Sequence, residues 1–278
     1  MRLIIVALLA ATSFVVNAQP VSTVLSVTNA AAWQSGVVPG SLATVFCAGI
    51  VPAGTNLSVN PPYPTSLGGV TITVGTPDGY SYAGMVFYAG YNSGREQVNF
   101  QVPWEIALST STTATVTVNG PGGKKASAVV PLLKVQPALF AWGANVATAY
   151  DGTVLVTSDH PAHPGDIILV LATGIGPVEY PQTDGVAAPY YGMPFEYTGN
   201  FITSGSVTAS IGDGSIPVWE VNQAMTQAGS VGIYSIVLGI PAGFQTMPGR
   251  SYPLQIQFKD GGGNESVSNF VALPIAPK

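Results

Sequence analysis

The chain has 278 residues, with 8 Lys and Arg against 13 Asp and Glu and a formal net charge of −5. Charged residues make up 8% of it, about a third of the share in ordinary soluble domains, whereas the hydrophobic fraction of 47% is ample for a core. This composition excludes an intrinsically disordered chain, and the acidic balance argues against a nucleic-acid partner, which requires a basic surface.

The first predicted element is a secretory signal peptide at residues 1–18. Met1 and Arg2 give a short positive start, residues 3–16 are almost entirely apolar, and Val16-Asn17-Ala18 suits cleavage before Gln19. The pattern is typical of an export signal, and the apolar run is short for a spanning helix. We therefore expect a secreted or cell-surface protein with no membrane span after cleavage.

Residues 21–27 form a candidate edge strand directly after Pro20, with apolar side chains at four positions. An unpaired edge is a template for adding a strand from another copy of the chain. The sequence leaves two alternatives open: this strand is donated to another copy, or it pairs within its own sandwich.

Alternating apolar and polar residues predict strands along the rest of the chain, at residues 70–74, 98–102, 114–118 and 254–258. Each has one buried and one wet face. Residues 167–172 are apolar on both faces and predict a central, buried strand. Short strands between Gly- and Pro-rich turns indicate an all-β sandwich or barrel. Only residues 104–108 and 221–228 allow a turn or two of helix.

The two halves repeat the same motifs in the same order. Pro39-Gly40-Ser41 precedes one apolar strand and Pro164-Gly165-Asp166 precedes another 125 residues later, while residues 98–103 and 236–241 are strands ended by proline at an offset of 138. The slowly growing offset predicts a tandem duplication of a unit of about 120 residues, a plausible domain size, joined within residues 131–144.

A longer series of motifs carries a family resemblance: Asn29-Ala30-Ala31, Val38-Pro39-Gly40-Ser41, Pro64-Thr65-Ser66-Leu67-Gly68-Gly69-Val70, Gln97-Val98-Asn99-Phe100-Gln101-Val102-Pro103-Trp104, Pro137-Ala138-Leu139-Phe140, Pro164-Gly165-Asp166 and Ala172-Thr173-Gly174-Ile175-Gly176-Pro177. Over roughly residues 29–273 the chain resembles the uncharacterised C-terminal domain family of Solibacter-type exported bacterial proteins. Phe46-Cys47-Ala48-Gly49 departs from the Gly-rich turn that this family tends to have there. The resemblance implies export and an immunoglobulin-like β architecture, and it implies no known activity.

We therefore expect two tandem immunoglobulin-like β-sandwich domains related by internal duplication, at residues 19–136 and 137–278. Cys47 is the single cysteine, so no internal disulfide can form. Its place in a predicted strand favours a small buried hydrophobe over a reactive thiol or an intermolecular bridge.

Catalytic and metal-binding patterns are weak. His160 and His163, the two histidines of the chain, lie in a loop with Asp159 and Asp166. The prolines of this loop disfavour the helix on which an i, i+3 pair would converge, so a solvated loop is expected and a metal site or hydrolase is the weaker alternative. No Gly-x-Ser-x-Gly motif is present. We expect no catalytic residue, no metal and no cofactor.

Paired carboxylates, which glycosidase chemistry requires, are not visible in the sequence. The glutamates considered show no pairing by spacing; they are Glu96, Glu105, Glu179, Glu196 and Glu220.

Aromatic residues crowd one segment of the second half, and the candidate ligand-binding patch consists of Tyr190, Tyr191, Phe195 and Tyr197. Such a loop could stack against a glycan or contact a protein, or it could fold back over the edge of the sandwich. The tryptophans Trp33, Trp104, Trp142 and Trp219 are expected to be core or interdomain anchors.

The low charge is the clearest functional indication. A surface of Thr, Ser, Asn, Gln and Gly suits assembly, adhesion or attachment, because little charge must be desolvated. We therefore expect a secreted, non-catalytic structural or adhesive protein, self-associating or bound to a glycan or protein at the cell surface, in a filament or in a matrix. A carbohydrate-binding module is the alternative.

Overall fold

The computed structural model describes residues 21–178, 182–188, 206–212, 217–226, 229–259 and 264–278. They form an all-β protein, which confirms the predicted fold class. Within these ranges the helical segments are two short 3-10 turns, Trp104–Leu108 and Pro121–Gly123. The predicted signal peptide lies outside the described residues. No helix among the described residues is long and apolar enough to cross a membrane.

The first half forms one hydrogen-bonded series of strands: β1 (Thr23–Asn29), β2 (Leu42–Ala48), β3 (Asn56–Ser58), β4 (Ser66–Leu67), β5 (Val70–Gly75), β6 (Ser81–Asn92), β7 (Arg95–Gln101), β8 (Thr113–Asn119) and β9 (Lys125–Pro131). The order is β1-β2-β7-β6-β5-β8-β9, with β3 beside β6 and β4 beside β5. The first part of β6 pairs with β5 and the rest with β7, so β6 belongs to both sheets. This is the A-B-E-D and C-F-G order of constant-type immunoglobulin domains.

The second half forms another series: β10 (Ala138–Leu139), β11 (Ala141–Trp142), β12 (Val146–Ala147), β13 (Ala149–Asp151), β14 (Val154–Leu155), β15 (Ile167–Thr173), β16 (Ser206–Ile211), β17 (Pro217–Thr226), β18 (Tyr234–Gly239), β19 (Ser251–Lys259), β20 (Glu265–Val267) and β21 (Val271–Pro274). Its central order is β15-β18-β17-β16-β19-β21. The central order in the first half is β2-β7-β6-β5-β8-β9, so corresponding strands occupy corresponding places. The duplication and the domain bounds 19–136 and 137–278 stay predictions about the origin of this arrangement.

Two separate hydrophobic cores result from the alternation of side chains. Val45, Val98 and Phe100 point into the first core and are fully buried. Ile168, Val170 and Ala172 of β15 do the same in the second. β15 pairs on both sides, with β13 and β18, as a central strand does. The other face of β15 is only half-buried. The strand predicted at residues 167–172 is therefore central, as expected, but it is buried on one face rather than on both.

The segment at residues 21–27 pairs within its own sandwich. β1 runs antiparallel to β2, with Thr23 opposite Ala48 and Asn29 opposite Ala43. Of the two alternatives left open by the sequence, the structure therefore has the intramolecular one.

Buried hydrogen bonds join the two sandwiches. The hydroxyl of Thr173, which is fully buried, accepts a hydrogen bond from the N–H of Leu42 at 3.0 Å and donates one to the carbonyl of Gly232 at 2.7 Å. One side chain of the second sandwich thus ties a strand of the first to a loop of its own sandwich. Removing it would leave a buried N–H and a buried carbonyl without a partner.

Hydrogen bonds attach the linker between the sandwiches, at Gln136, to each of them. Asn29 Nδ2 donates to the carbonyl of Gln136 at 3.2 Å, and the N–H of Gln136 donates to the carbonyl of Gly174 at 2.7 Å. Gly174 has a φ of +76°, and a Cβ at this position would overlap the Gln136 carbonyl oxygen. Only glycine satisfies both the left-handed backbone and the close approach of the linker.

Candidate functional site

The predicted aromatic patch of Tyr190, Tyr191, Phe195 and Tyr197 lies outside the described residues. Trp219 lies in β17, and its side chain is outside the part of the chain that the structure describes. The candidate sites below are therefore built from other residues.

Cys47 is chemically inert in this fold. It is 1% exposed, and its Sγ lies 3.7 Å from Oε2 of Glu96. Burial, together with the negative charge and the hydrogen bond of Glu96, raises the pKa of the thiol to about 12. Because the thiolate is the nucleophile and the metal ligand, Cys47 serves neither role at neutral pH. The prediction that it is a small buried hydrophobe is confirmed.

Glu96 closes the turn after β2. Burial opposes its ionisation, but the backbone N–H groups of Gly49, Ile50 and Val51 donate to its carboxylate at 2.8, 2.9 and 2.9 Å. The hydroxyl of Tyr91 adds a fourth hydrogen bond at 3.1 Å. Together these donors outweigh burial and hold the pKa of Glu96 below its usual value. All four lie on neighbouring elements of the first sandwich, so this is a structural role.

The histidine loop is held by backbone contacts. A ring nitrogen of His163, Nδ1, lies 3.0 Å from the carbonyl oxygen of Ala276, and the N–H of His163 donates to Asp166 at 2.7 Å. The hydroxyl of Thr157 accepts from the N–H of His160 at 3.0 Å. Within the described residues no group of three or more His, Cys, Asp or Glu side chains is placed to hold a metal ion.

The spacing of acidic residues in the sequence gave no sign of a carboxyl pair. The structure brings one together at the junction, the region where the two sandwiches contact each other. Asp184 accepts the N–H of Trp104 at 3.0 Å, and its carboxyl group lies beside that of Glu105. Burial and the neighbouring Glu105 raise the pKa of Asp184 to about 7.

The segment around Asp184 crosses from the second half onto the first sandwich. The N–H of Gly185 donates to the buried side chain of Gln101 at 2.7 Å, and its carbonyl accepts the N–H of Tyr63 at 2.8 Å. Trp104 packs against the second core from the first half, as expected of an interdomain anchor.

An uncharged surface covers the outside of the β5-β8-β9 sheet; we call it the first neutral face. Thr73 lies opposite Thr117, which lies opposite Ser127, and the last two hydroxyls are hydrogen-bonded at 2.9 Å. The structure describes these three strands in full, and Lys125 at the start of β9 is their only charged residue. The remaining side chains of this face are Thr71, Thr113, Thr115, Asn119 and Val129, with Lys125 at its margin opposite Asn119.

The corresponding sheet of the second sandwich has a similar outer surface, the second neutral face. Thr208 lies opposite Gln257, and Ser210 lies opposite Gln255. At its margin Lys259 and Glu265 pair with each other at 3.6 Å, so their charges balance.

A groove of about 360 Å³ separates the two sandwiches on one side; we call it the aromatic groove. The first sandwich contributes Ala31, Ala32 and Trp33. The second contributes Ala141, Gly143, Asn145, Asn269 and Phe270. Trp33 is 55% exposed and Phe270 is 56% exposed, and none of the lining residues is charged.

Trp33 has an unusual backbone. Its φ is +59°, and it is one of three non-glycine residues with positive φ in the described chain; Asn145, in the opposite wall of the groove, is another. The left-handed region is disfavoured for a bulky side chain. Asn29 fixes this turn, because its Oδ1 accepts the N–H groups of Ala31 and Ala32 at 2.8 and 3.3 Å.

The expectation that the tryptophans are anchors is wrong for two of them. Trp33 and Trp142 are 55% and 41% exposed. Trp33 sits in a turn whose left-handed backbone directs it to the surface, where its ring contacts Phe46 at a centroid distance of 5.7 Å. Trp142 lies in the two-residue strand β11, between two lining residues of the aromatic groove, and its side chain is not enclosed by a core.

A larger cleft of about 550 Å³ lies elsewhere between the sandwiches and has mainly apolar walls. Leu108, which is 64% exposed, lies on its rim. It brings no pair of titratable side chains together, since Lys134 is the one charged residue in its lining.

No family model and no curated protein matches the chain. Among solved structures it is similar to SGBP-B of the Bacteroides ovatus mixed-linkage glucan utilization locus, in complex with a mixed-linkage heptasaccharide: 9% identity and a TM-score of 0.32, covering 87% of this chain and 42% of that chain. It is also similar to the N-terminal part of the bacterial S-layer protein SbsC: 12% identity, TM-score 0.26, 92% of this chain and 44% of that chain. A third is dimeric latent PorU from Porphyromonas gingivalis: 11% identity, TM-score 0.29, 92% and 24%.

The chain thus spans less than half the length of each of these structures. TM-scores this low carry no argument, so the fold assignment rests on the strand order of the chain itself. The resemblance to the Solibacter-type family stays a prediction.

Proposed function

We propose that this chain is an exported, non-catalytic protein that makes structural or adhesive contacts outside the cell, including contacts between its own copies, through its two neutral faces. The carrying observation is that both sandwiches present an outer sheet of Thr, Ser and Gln side chains, on which the charged residues that the structure describes are Lys125 and the Lys259–Glu265 pair, at the margins.

The physical reason is desolvation. Bringing a charged surface against another surface removes ions from water, which costs several kcal/mol per ion unless each finds a partner. Hydroxyl and carboxamide groups lose less, and they exchange water for hydrogen bonds with the opposing surface. The junction between the sandwiches is compatible with the same role, because hydrogen bonds at Thr173 and Gln136 join the two sandwiches.

The test introduces a charge into the first neutral face. Thr117 lies between Thr73 and Ser127, so Thr117→Lys places an ammonium group among neutral neighbours. We expect this variant to be released from the cell-surface or matrix fraction of the producing cells into the medium, while the unaltered protein stays bound. Immunogold electron microscopy and quantitative blotting of the fractions measure the distribution.

Gln245→Lys is the matched control, since it adds the same charge at an exposed loop position away from both faces. It should remain with the surface fraction. Protein found in the cytoplasm with an intact Met1 would contradict the proposal, as would unaltered protein that is free in the medium.

The second candidate function is carbohydrate binding, which the aromatic groove favours.

A further inference from the structure

We propose that the aromatic groove is a binding site for an uncharged oligosaccharide. This proposal deepens the proposed function by naming the chemical class of one adhesive ligand. It rests on the proposed function in one respect, namely that the protein meets such ligands outside the cell.

The first argument is the exposed rings. Trp33 and Phe270 stand on opposite sandwiches and each leaves more than half of its surface in water, although burial of such a ring is strongly favourable. Trp142, beside the groove, is also exposed. The C–H face of a pyranose ring is an apolar plane that stacks on an aromatic face, so a sugar covers these rings without requiring a deep pocket.

The second argument is the absence of charge from the described lining of the groove. An anionic or cationic ligand would enter without a compensating partner, which makes its desolvation unfavourable. Neutral hydroxyl groups need only hydrogen-bonding partners. Asn145, in the lining, donates its Nδ2 to the carbonyl of Phe270 at 3.0 Å, and its carboxamide oxygen is an acceptor by chemical type.

The third argument is the backbone. Two of the three left-handed non-glycine residues in the described chain, Trp33 and Asn145, face each other across this groove. Asparagine tolerates this conformation, but for a bulky residue such as Trp33 it costs about 1–3 kcal/mol, and strain of this kind collects at ligand sites. For Trp33 the cost is not offset by burial in a core. The side chain of Asn29 holds this turn by accepting two backbone hydrogen bonds, and the turn places the Trp33 ring at the groove.

The fourth argument is size. A volume of about 360 Å³ lies within the range of roughly 300–1,000 Å³ that small-ligand sites occupy. The groove is open at the surface rather than enclosed, as a site for part of a longer chain must be.

The experiment titrates the purified mature protein with soluble fragments of cellulose, β-1,3-glucan, xylan and mannan, with polygalacturonate as a charged comparison. Binding is followed by tryptophan fluorescence and calorimetry. We expect at least one uncharged probe to bind, and Trp33→Gly and Phe270→Ala each to weaken that binding about tenfold through loss of a stacked ring. Trp33→Tyr, which keeps a ring, should retain most of it.

Trp33→Gly also removes the strain of the left-handed backbone. Its melting temperature should therefore fall by at most a few degrees relative to the unaltered protein. Leu108→Ala is the control, because Leu108 lies on the rim of the other cleft and should leave binding unchanged. The proposal is overturned if every uncharged probe binds more weakly than about 1 mM, if Trp33→Gly binds as tightly as the unaltered protein, or if polygalacturonate is preferred. Each of these results leaves the surface-attachment test of the neutral faces standing.

Discussion

Two carboxyl groups, Glu96 and Asp184, show at the scale of one residue that the groups around a carboxyl decide the direction of its pKa shift, since burial raises the pKa of both. Around Glu96 the fold arranges three backbone N–H groups and a hydroxyl, and its pKa falls. Asp184 has one backbone donor and a second carboxyl group beside it, and its pKa rises to about 7. The surroundings of Glu96 therefore favour its charged form, and those of Asp184 favour its protonated form.

The raised pKa of Asp184 predicts a pH-dependent junction. An unfolded Asp titrates near pH 4, so between about pH 4 and pH 7 the folded protein binds a proton that the unfolded chain does not. Stability is therefore complete at the acid end and falls as the pH rises through about 7. Melting temperatures measured across this range should show the decline.

Asp184→Asn keeps an acceptor for the N–H of Trp104 and cannot ionise, so it should flatten the profile. Asp151→Asn, at an exposed position, should leave it unchanged. A profile that is the same in Asp184→Asn and in the unaltered protein would rule out this origin of the pH dependence.

At the scale of single residues, the sequence predicts what depends on local pattern. The burial of Cys47 follows from its place in an alternating strand. The pairing of Glu105 with Asp184 could not be predicted, because the two residues lie in different halves and meet only when the sandwiches dock. The exposure of Trp33 could not be predicted either, since it depends on the hydrogen bonds of Asn29 to the turn.

At the scale of elements, period-2 alternation predicts the strands that have one face in a core. Residues 70–74, 114–118 and 254–258 lie within strands, and 98–101 lie within β7, which ends one residue before the predicted bound. The 3-10 turn at Trp104–Leu108 agrees with the expected short helix. The short helix expected at 221–228 is wrong, because β17 extends through Thr226 and pairs with β16 and β18. Pairing with distant strands overrides local preference there.

The element that fixes the junction is the turn at Gly174, and it gives a prediction about stability. Gly174→Ala adds the cost of a left-handed backbone and the overlap of Cβ with the Gln136 carbonyl, together about 2–4 kcal/mol. We expect the melting temperature to fall by roughly 5–15 °C. Differential scanning calorimetry of the full chain measures it.

Gly152→Ala is the matched control. Gly152 also has a positive φ, +58°, but no atom lies within 4 Å of the position of a Cβ. Only the backbone cost of about 1 kcal/mol applies, so its melting temperature should fall by about 3 °C. An equal fall in melting temperature in the two variants would show that the close approach of the Gln136 carbonyl to Gly174 does not contribute to the effect.

At the scale of the whole molecule, two sandwiches with the same central strand order are joined so that both carry an uncharged outer sheet. The low charge of the chain predicts such surfaces, since 8% of charged residues cannot cover two sandwiches. The sequence could not predict which sheet is neutral, because this depends on the register that sets Thr73 beside Thr117 and Thr208 beside Gln257. It also could not predict the aromatic groove, whose walls come from residues more than a hundred positions apart.

The most direct test of the central claim is analytical ultracentrifugation of the mature chain from Gln19 across a salt series. Raising the salt from 0.1 M to 1 M shortens the screening length from about 10 Å to about 3 Å and so weakens attraction between exposed charges. Contacts between neutral faces do not depend on such attraction. We predict self-association that is almost unchanged over this range and that Thr117→Lys weakens. A protein that stays monomeric at high concentration under every condition, or whose association is abolished by salt, would contradict the account.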